Sequence, residues 1–225
     1  EALAGPGFQG KRGQTLALST PGNRCRELIL VGLGTSAEID LEAWRRAVAN
    51  GASKARQRGN SRIAVPLPEI DGHDFEELAT AATEAAILTS YRYREFKAAS
   101  TEEVGLEEIL IAAPVDIASA TTRAQIVADA TCWARDLVNT PSNMKQPDSL
   151  AARAIEMAEE TGLTFENIDD KAANELGLNA LLAVGQGSAV GPRLITLEHR
   201  PEGAANQPTV LIGKGITFDT GGISL

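Results

Sequence analysis

The sequence is poor in cysteine and lacks any long apolar run. Its two cysteines, Cys25 and Cys132, lie far apart and form no CxxC pair. This spacing excludes a disulfide-rich fold and a cysteine-based zinc or redox motif, and we expect two buried thiols in a reducing cytoplasm. No apolar segment reaches the roughly 18–20 residues that a bilayer-spanning helix needs, so no membrane partner is expected.

A surplus of positive charge is also missing. The 225 residues contain 30 Asp and Glu against 21 Lys and Arg, giving a formal net charge of -9. Such a chain does not bind nucleic acid or an anionic membrane through its overall field, although a local basic patch still could. Hydrophobic residues make up 43% and charged residues 23%. That balance is typical of a globular protein and excludes a disordered or collagen-like chain.

The two ends of the sequence are unlike the ends of a complete protein. The chain starts at Glu1 rather than at methionine, and it stops at Leu225 within an apolar, glycine-rich motif. Residues 1–13 are polar and glycine-rich, with no hydrophobic core of a signal peptide. We therefore expect an internal piece of a longer protein.

Residues 24–114 alternate between short apolar runs and segments with apolar residues at helical spacing. The predicted elements are a strand at Leu28–Val31, a helix over 37–58, a strand at Ile63–Leu67, a helix with an apolar row from Phe75 to Phe96, and a strand at Leu106–Ala113. Asp71 or Asp74 is the candidate cap of the second helix. Strands separated by helices predict a right-handed parallel α/β layer.

The second half begins with a long helix predicted at Ala118–Val138. Its two adjacent apolar rows predict wide burial, and we place it between two lobes. Pro141 disfavours helix at the preceding residue and so ends it. Further predicted elements are a helix at about 148–161, a strand at 163–168, a short helix from Asp169 or Asp170 to Leu176, and strands at 193–198 and 209–213.

Two glycine-containing motifs are weak candidates for phosphate binding. Gly32-Leu33-Gly34 follows a strand and precedes a helix, and with Ala37 it fits a GxGxxA dinucleotide pattern. No acidic residue follows about twenty positions later, so we favour a backbone role for these glycines. Gly213-Lys214-Gly215 is not a Walker A loop, because neither its spacing nor the residue after the lysine fits. His73 and His199 are isolated, and HExxH and GxSxG motifs are absent.

The stretch from Thr209 to Leu225 is the most informative. A predicted buried strand at 209–213 is followed by Lys214 and Asp219. In open α/β sheets the functional crevice lies at the carboxyl ends of strands. Two residues five positions apart point to opposite faces of a regular strand, so both reach one site only if the strand breaks, for which Gly215 is suited. On side-chain chemistry alone we favour the simpler alternative, in which Lys214 extends into water and Asp219 caps a turn.

A family resemblance changes that balance. GKGITFDTGGISL closely resembles the signature of the leucyl aminopeptidases, the cytosol aminopeptidase family of di-metal exopeptidases. Two segments resemble parts of that family's N-terminal domain: FQGKRGQTLAL and ELILVGLG. The opening of its catalytic domain resembles ARDLVNTPSN at 134–143. The strand region before its metal motif resembles LLAVGQGSAVGPRLITLEHRP at 181–201. The resemblance therefore covers almost the whole chain, in order.

The resemblance implies an α/β fold in three parts. These are a macro-like N-terminal parallel-sheet domain at 1–115, truncated at its start, a linking helix at 116–138, and the beginning of the catalytic domain at 139–225. It also implies that Lys214 and Asp219 are metal ligands, with Asp219 bridging two ions. The lysine must lose its proton to bind, which a divalent cation favours, and the aspartate oxygen suits Zn, Mn or Mg.

The implied function is a metal-dependent aminopeptidase of the cytoplasm. It would release N-terminal residues such as Leu from peptide substrates through a water activated by two divalent ions, Mn or Zn, with Mg as a further candidate. In the family a catalytic lysine would fall directly after Leu225, and the remaining ligands and an assisting arginine lie further on. Because two ligands cannot complete two coordination spheres, residues 1–225 alone are expected to be inactive. The resemblance also implies a homohexamer for the full-length protein.

A function of another class stays open: a DNA-binding or regulatory role, or a non-catalytic homologue of the same family. The candidate feature is the basic side of the helix predicted over 37–58. It carries Arg45, Arg46, Lys54, Arg56 and Arg58. We favour a solvated helix face that offsets acidic neighbours, so nucleic acid is not the preferred partner.

Overall fold

The computed structural model describes residues 7–22, 25–96, 105–204 and 207–219. The strands are β1 (Thr15–Ser19), β2 (Glu27–Val31), β3 (Arg62–Pro66), β4 (Glu108–Ala112), β5 (Thr164–Ile168) and β6 (Leu194–Glu198). The helices are α1 (Leu41–Gln57), α2 (Phe75–Ser90), α3 (Ala118–Asn139), α4 (Pro147–Thr161), α5 (Asp170–Glu175) and α6 (Asn179–Gly185). The chain divides into two compact units, Glu1–Arg135 and Asp136–Leu225. The predicted α/β class is confirmed.

The strands of the first unit form two small sheets. β3 and β4 are parallel, with Ile63 opposite Ile109, so the predicted strand–helix–strand order and its parallel pairing are confirmed for this pair. β2 instead pairs with β1 in antiparallel fashion, and sequence reasoning did not predict β1 as a strand. The Pro21-Gly22 dipeptide between β1 and β2 is the signal that indicates a hairpin.

Local capping sets where α1 and α2 begin. The Asp40 carboxylate accepts a hydrogen bond of 2.7 Å from the backbone N–H of Ala43, so α1 starts at Leu41 and not at the predicted residue 37. Asp74, one of the two predicted caps, is the observed one. It accepts a bond of 2.8 Å from the N–H of Glu77, whose side chain reaches back to Asp74. Such reciprocal capping satisfies two backbone donors that a helix start leaves unpaired.

The core of the first unit lies where α1 and α2 pack together. Trp44 and Leu78 are buried there, and the Trp44 indole donates a 3.0 Å hydrogen bond to the Leu78 carbonyl. Side chains of β3 and β4 pack against this cluster, among them Val65 and Ile111. The contact gives the one polar atom of the Trp44 side chain a partner, as burial requires.

Two helical predictions differ from the structure. The predicted apolar row of the second helix continued to Phe96, but α2 ends at Ser90, whose hydroxyl donates to the Ala86 carbonyl, and Tyr91 turns to extended backbone. Side chain-to-backbone bonding of this kind competes with helix continuation. In α3 the bounds agree to one residue, yet Ile126 is 64% and Val127 55% exposed. The expectation of wide burial is therefore wrong for this helix. The expectation of two buried thiols is also wrong, because Cys132 in this helix is half-buried and Cys25 is exposed.

The second unit is built from α4, α5, α6 and the antiparallel pair of β5 and β6. α4 has Pro147 in its first turn and ends at Gly162, which adopts a left-handed conformation with φ of 74°. Both are preferred at these helix positions. α5 begins after Asp169, whose carboxylate accepts from the N–H of Ala172 at 2.8 Å. Sequence reasoning did not predict α6.

A search of the described helices for a candidate membrane span found none.

One carboxylate connects the edge of β2 to the end of α1. Glu27 pairs with the Arg58 guanidinium at 2.7 Å and accepts a 2.8 Å bond from the Asn60 side chain. The Arg58 hydrogen bond, followed by that from Asn60, lowers the pKa of Glu27. The Glu27 side chain is only 12% exposed. These contacts fix the loop after α1 against the sheet.

The close approach of the loop after Gly10 requires a glycine at position 32. The Gly32 N–H donates to the Gln14 carbonyl at 2.8 Å, and the Gly34 N–H donates to the Gly10 carbonyl at 3.0 Å. A Cβ at Gly32 would overlap the Lys11 carbonyl oxygen and lie 2.5 Å from the Gly10 carbonyl carbon. The two amides are thus used inside the fold, which supports the backbone role over dinucleotide binding.

We expect Glu27→Gln to lower the free energy of unfolding at neutral pH and to flatten its fall in acid. Because folding lowers the pKa of Glu27, the unfolded chain binds more protons between the two pKa values. The stabilisation is therefore complete above the ordinary glutamate pKa of about 4.3 and is lost as the pH falls through the folded value. Urea unfolding of both proteins across this range measures the difference.

The control for this prediction is Glu42→Gln. The pKa of Glu42 is also lowered, first by Arg46 and then by Arg45, but its side chain is 53% exposed. We expect a smaller loss there, since exposed pairs contribute little. A Glu27→Gln protein whose deficit is as large at about pH 3 as at neutral pH would contradict the assignment.

Gly32→Ala should destabilise the first unit by at least about 3 kcal/mol, the upper end of overpacking costs, because the added methyl meets backbone atoms that cannot move aside. Gly105→Ala is the matched control. Its Cβ would meet nothing within 4 Å, so a change within about 0.5 kcal/mol is expected. Urea unfolding followed by circular dichroism checks both, and equal midpoints for the two variants would refute the packing argument.

Candidate metal centre

The candidate metal motif lies in an extended segment outside the helices and strands. The strand predicted at 209–213 is wrong for this structure: Leu211 is 92% and Ile212 94% exposed. No strand within the described ranges pairs with this segment. Lys214 and Asp219 follow it and are both exposed, while residues 220–225 of the motif lie outside the described residues.

Gly215 lies near the start of α4. A Cβ at Gly215 would lie 3.7 Å from the Leu150 Cδ2 atom, which is ordinary van der Waals distance. Leu150 is in the first turn of α4. Gly215 therefore lies near the Leu150 side chain at the start of that helix.

The donors of the motif match a divalent ion in type but not in number. An amine nitrogen and a carboxylate oxygen are both accepted by borderline and hard divalent metals such as Zn and Mn. Across the described residues there is no cluster of three or more His, Cys, Asp or Glu that could hold a metal. Lys214 and Asp219 thus offer a partial donor set, and a complete site needs donors from elsewhere.

The NTPSN segment at 139–143 terminates α3 through its own hydrogen bonds. The Thr140 hydroxyl donates to the Asp136 carbonyl at 2.7 Å, and the Met144 N–H donates to the Pro141 carbonyl at 2.9 Å. The Lys145 ammonium donates to the carbonyls of Leu137, at 2.8 Å, and Val138. A cation that satisfies the last carbonyls of a helix is a capping group, so Lys145 has a structural role here.

Three of the five residues on the basic side of α1 have acidic partners: Arg45, Arg46 and, through Glu27, Arg58. Arg45 pairs with Glu42 at 3.3 Å and with Glu84 at 3.6 Å, and Arg46 pairs with Glu42 at 2.7 Å. These contacts support the interpretation as a solvated, charge-compensated face, because a nucleic acid would compete with carboxylates already in place. His73, expected to be isolated, has Glu77 one turn away, with 3.0 Å between Nδ1 and Oε2.

Sequence reasoning did not single out Arg193, Asp148 and Asp170. The Arg193 Nε donates to Asp148 Oδ1 at 2.6 Å, and its Nη1 lies 3.7 Å from Asp170 Oδ1. The partners are far away in sequence, so spacing gives no signal. A hint is the Gly191-Pro192-Arg193 sequence, because glycine before a restricted proline indicates a backbone position with little room.

Two family models match most of the chain. The N-terminal domain of the cytosol aminopeptidase family matches residues 1–100. The catalytic domain of the same family matches residues 132–225. The two matches occur in the order of the two units, and both belong to one family.

Individual relatives agree with these matches. A probable cytosol aminopeptidase of Syntrophotalea carbinolica is 39% identical and aligns with 97% of this chain and 46% of its own length. The one from Aquifex aeolicus is 36% identical over 97% of this chain and 44% of its own length. The chain thus spans slightly less than half the length of these curated relatives.

Solved structures resemble the fold as well. The bottromycin maturation enzyme BotP in complex with Mn superposes with a TM-score of 0.78 at 32% identity, over 87% of this chain and 41% of that one. A mutant of tomato leucine aminopeptidase superposes with a TM-score of 0.72 at 27% identity, over 84% and 38%. With both halves matched by models of one family, the chain belongs to the cytosol aminopeptidase family.

Proposed function

We propose that the full-length protein is a metal-dependent aminopeptidase in which Lys214 and Asp219 are metal ligands. The observation that carries this proposal is the catalytic-domain match over residues 132–225, because it includes both donors. The related BotP structure is described as a complex with Mn, which supports a divalent cation here. The ions we propose are two of Mn or Zn, with Mg as a further candidate.

The two donors have distinct parts in this proposal. The Lys214 amine would bind in its neutral form and supply one nitrogen, whereas Asp219 would supply up to two oxygens, enough to serve two ions. Both side chains are exposed, so neither must leave a buried position to bind a metal ion. Gly213 and Gly215, on either side of the lysine, leave space close to the backbone for a ligand.

Bound divalent ions would supply an activated water and polarise the scissile carbonyl of the substrate. The proposed substrates are peptides with a free amino terminus, with Leu-like first residues preferred. The chain's own contribution is to present Lys214 and Asp219 on one short segment, whose Gly215 lies near Leu150 of α4. Since the two residues cannot complete two coordination spheres, we expect residues 1–225 alone to be inactive. A homohexamer in the cytoplasm is the proposed state of the full-length protein.

Asp219→Asn in the full-length protein should reduce hydrolysis of leucine amide in Mn²⁺ by more than about 100-fold, beyond the range typical of changes outside the ligand sphere. Lys214→Met should do the same, because a thioether is a poor ligand for these ions. The fold should be retained, since both side chains are exposed. Steady-state kinetics and circular dichroism measure the two effects.

Matched controls come from the same unit. Glu202→Gln and Lys171→Met remove an exposed carboxylate and an exposed amine away from the motif, and both should keep wild-type turnover. If Asp219→Asn turns over as fast as Glu202→Gln, the ligand assignment is wrong. A wild-type protein that cleaves no aminoacyl amide with Mn²⁺ or Zn²⁺ would refute the activity itself.

A further inference from the structure

Arg193 connects three elements of the second unit through one guanidinium. It directly precedes β6, and its side chain is only 18% exposed. Nε and Nη2 both contact Asp148 Oδ1, and Nη1 lies 3.7 Å from Asp170 Oδ1. Asp148 is in the first turn of α4, and Asp170 begins α5. The planar, fixed donors of arginine make such a link directional, which a lysine could not reproduce.

The chain on the N-terminal side of Arg193 passes close to α5 and α6. A Cβ at Gly191 would lie 2.6 Å from Asp170 Oδ2, and a Cβ at Gly185 would lie 2.7 Å from Pro192 Cδ. The backbone approaches α5 and α6 as closely as glycine permits. This close seating fixes the position from which the Arg193 side chain extends.

The guanidinium has an unequal set of contacts. Arg193 Nη1 is buried and has no hydrogen-bond partner, because Asp170 is within ion-pair distance but too far for a hydrogen bond. A buried donor without a partner costs free energy. The arginine is thus held where its contact with α4 is best, at some cost on the α5 side.

The same turn of α4 that Arg193 holds lies near the metal motif. Asp148 and Leu150 are two residues apart in that turn, and a Cβ at Gly215 would lie 3.7 Å from Leu150 Cδ2. A shift of this turn would therefore change the packing beside Gly215, the residue after Lys214. Groups that orient a metal ligand without touching the ion affect its affinity strongly.

We propose that Arg193 is a positioning residue: by clamping Asp148 and Asp170, it fixes the first turn of α4 and so sets where Lys214 is presented to a divalent ion. This inference rests on the proposed function of Lys214. It assigns Arg193 no contact with substrate or metal. The inference predicts that a substitution of Arg193 weakens metal binding even in a protein that remains folded.

The experiment compares Arg193→Gln, Arg193→Lys and Arg153→Gln in the full-length protein. Arg153 is the matched control, an exposed arginine of α4 whose side chain pairs only across one turn with Glu156, at 3.6 Å. Mn²⁺ affinity is measured by the paramagnetic resonance signal of the free ion, stability by urea unfolding, and turnover as a function of Mn²⁺ concentration.

Arg193→Gln should raise the Kd for Mn²⁺ by about 10–100-fold. Turnover should return towards the wild-type value at saturating Mn²⁺, which a loss of fold would not allow. Arg193→Lys keeps the positive charge but lacks the planar guanidinium, so its Kd for Mn²⁺ should lie between those of the wild type and Arg193→Gln. Arg153→Gln should have the wild-type Kd. If Arg193→Gln does not fold, Asp170→Asn, which removes the longer contact, is measured instead and should also weaken Mn²⁺ binding.

A folded Arg193→Gln protein, or Asp170→Asn in its place, with wild-type Mn²⁺ affinity overturns the inference, even where its stability is reduced. Failure of the proposed function gives a different result, because the wild-type protein itself would then bind no Mn²⁺ and Asp219→Asn would change nothing.

Discussion

Backbone pairing is the constraint on which this structure depends. A strand is stable when a neighbour takes up its N–H and C=O groups, and a helix satisfies most of its own. In the described chain α1 to α5 occur near the positions where the sequence predicts helices and α6 was not predicted, whereas the strands occur as three separate pairs. The apolar segment at 209–213 has no such neighbour among the described residues and is exposed.

Features encoded by a few neighbouring residues could be predicted from the sequence. Asp74 caps the start of α2 through contacts within one turn, and it was one of the two candidates identified from residue type and position. The positions of β2, β3 and β4 along the chain followed from short apolar runs separated by segments with helical spacing, but β2 pairs with β1 and does not join the parallel pair of β3 and β4. Features that depend on residues far away in the sequence could not be predicted. The exposure of Ile126 depends on what packs around α3, which its periodicity does not contain.

The candidate site likewise contains residues that the sequence predicts and a residue that it does not. Lys214 and Asp219 were found through a contiguous motif, and their role came from its resemblance to a family and not from spacing. Arg193 was missed because its contact with Asp148 spans 45 positions in the chain. An ion pair between distant residues leaves no periodic pattern, and each partner alone looks like an ordinary surface charge. Three-dimensional structure was therefore needed to connect α4, α5 and the metal motif.

The contact between Gly32 and the loop after Gly10 has a consequence for how the family can vary. Because backbone meets backbone there, with carbonyls of Gly10 and Gln14 paired to specific amides, the number of residues between those two carbonyls is fixed. Insertions and deletions should be rare in this loop among homologous sequences, even where its side chains differ. Length differences should instead accumulate in the exposed turn at 199–204, whose backbone hydrogen bond, from the Ala204 N–H to the Pro201 carbonyl, is local.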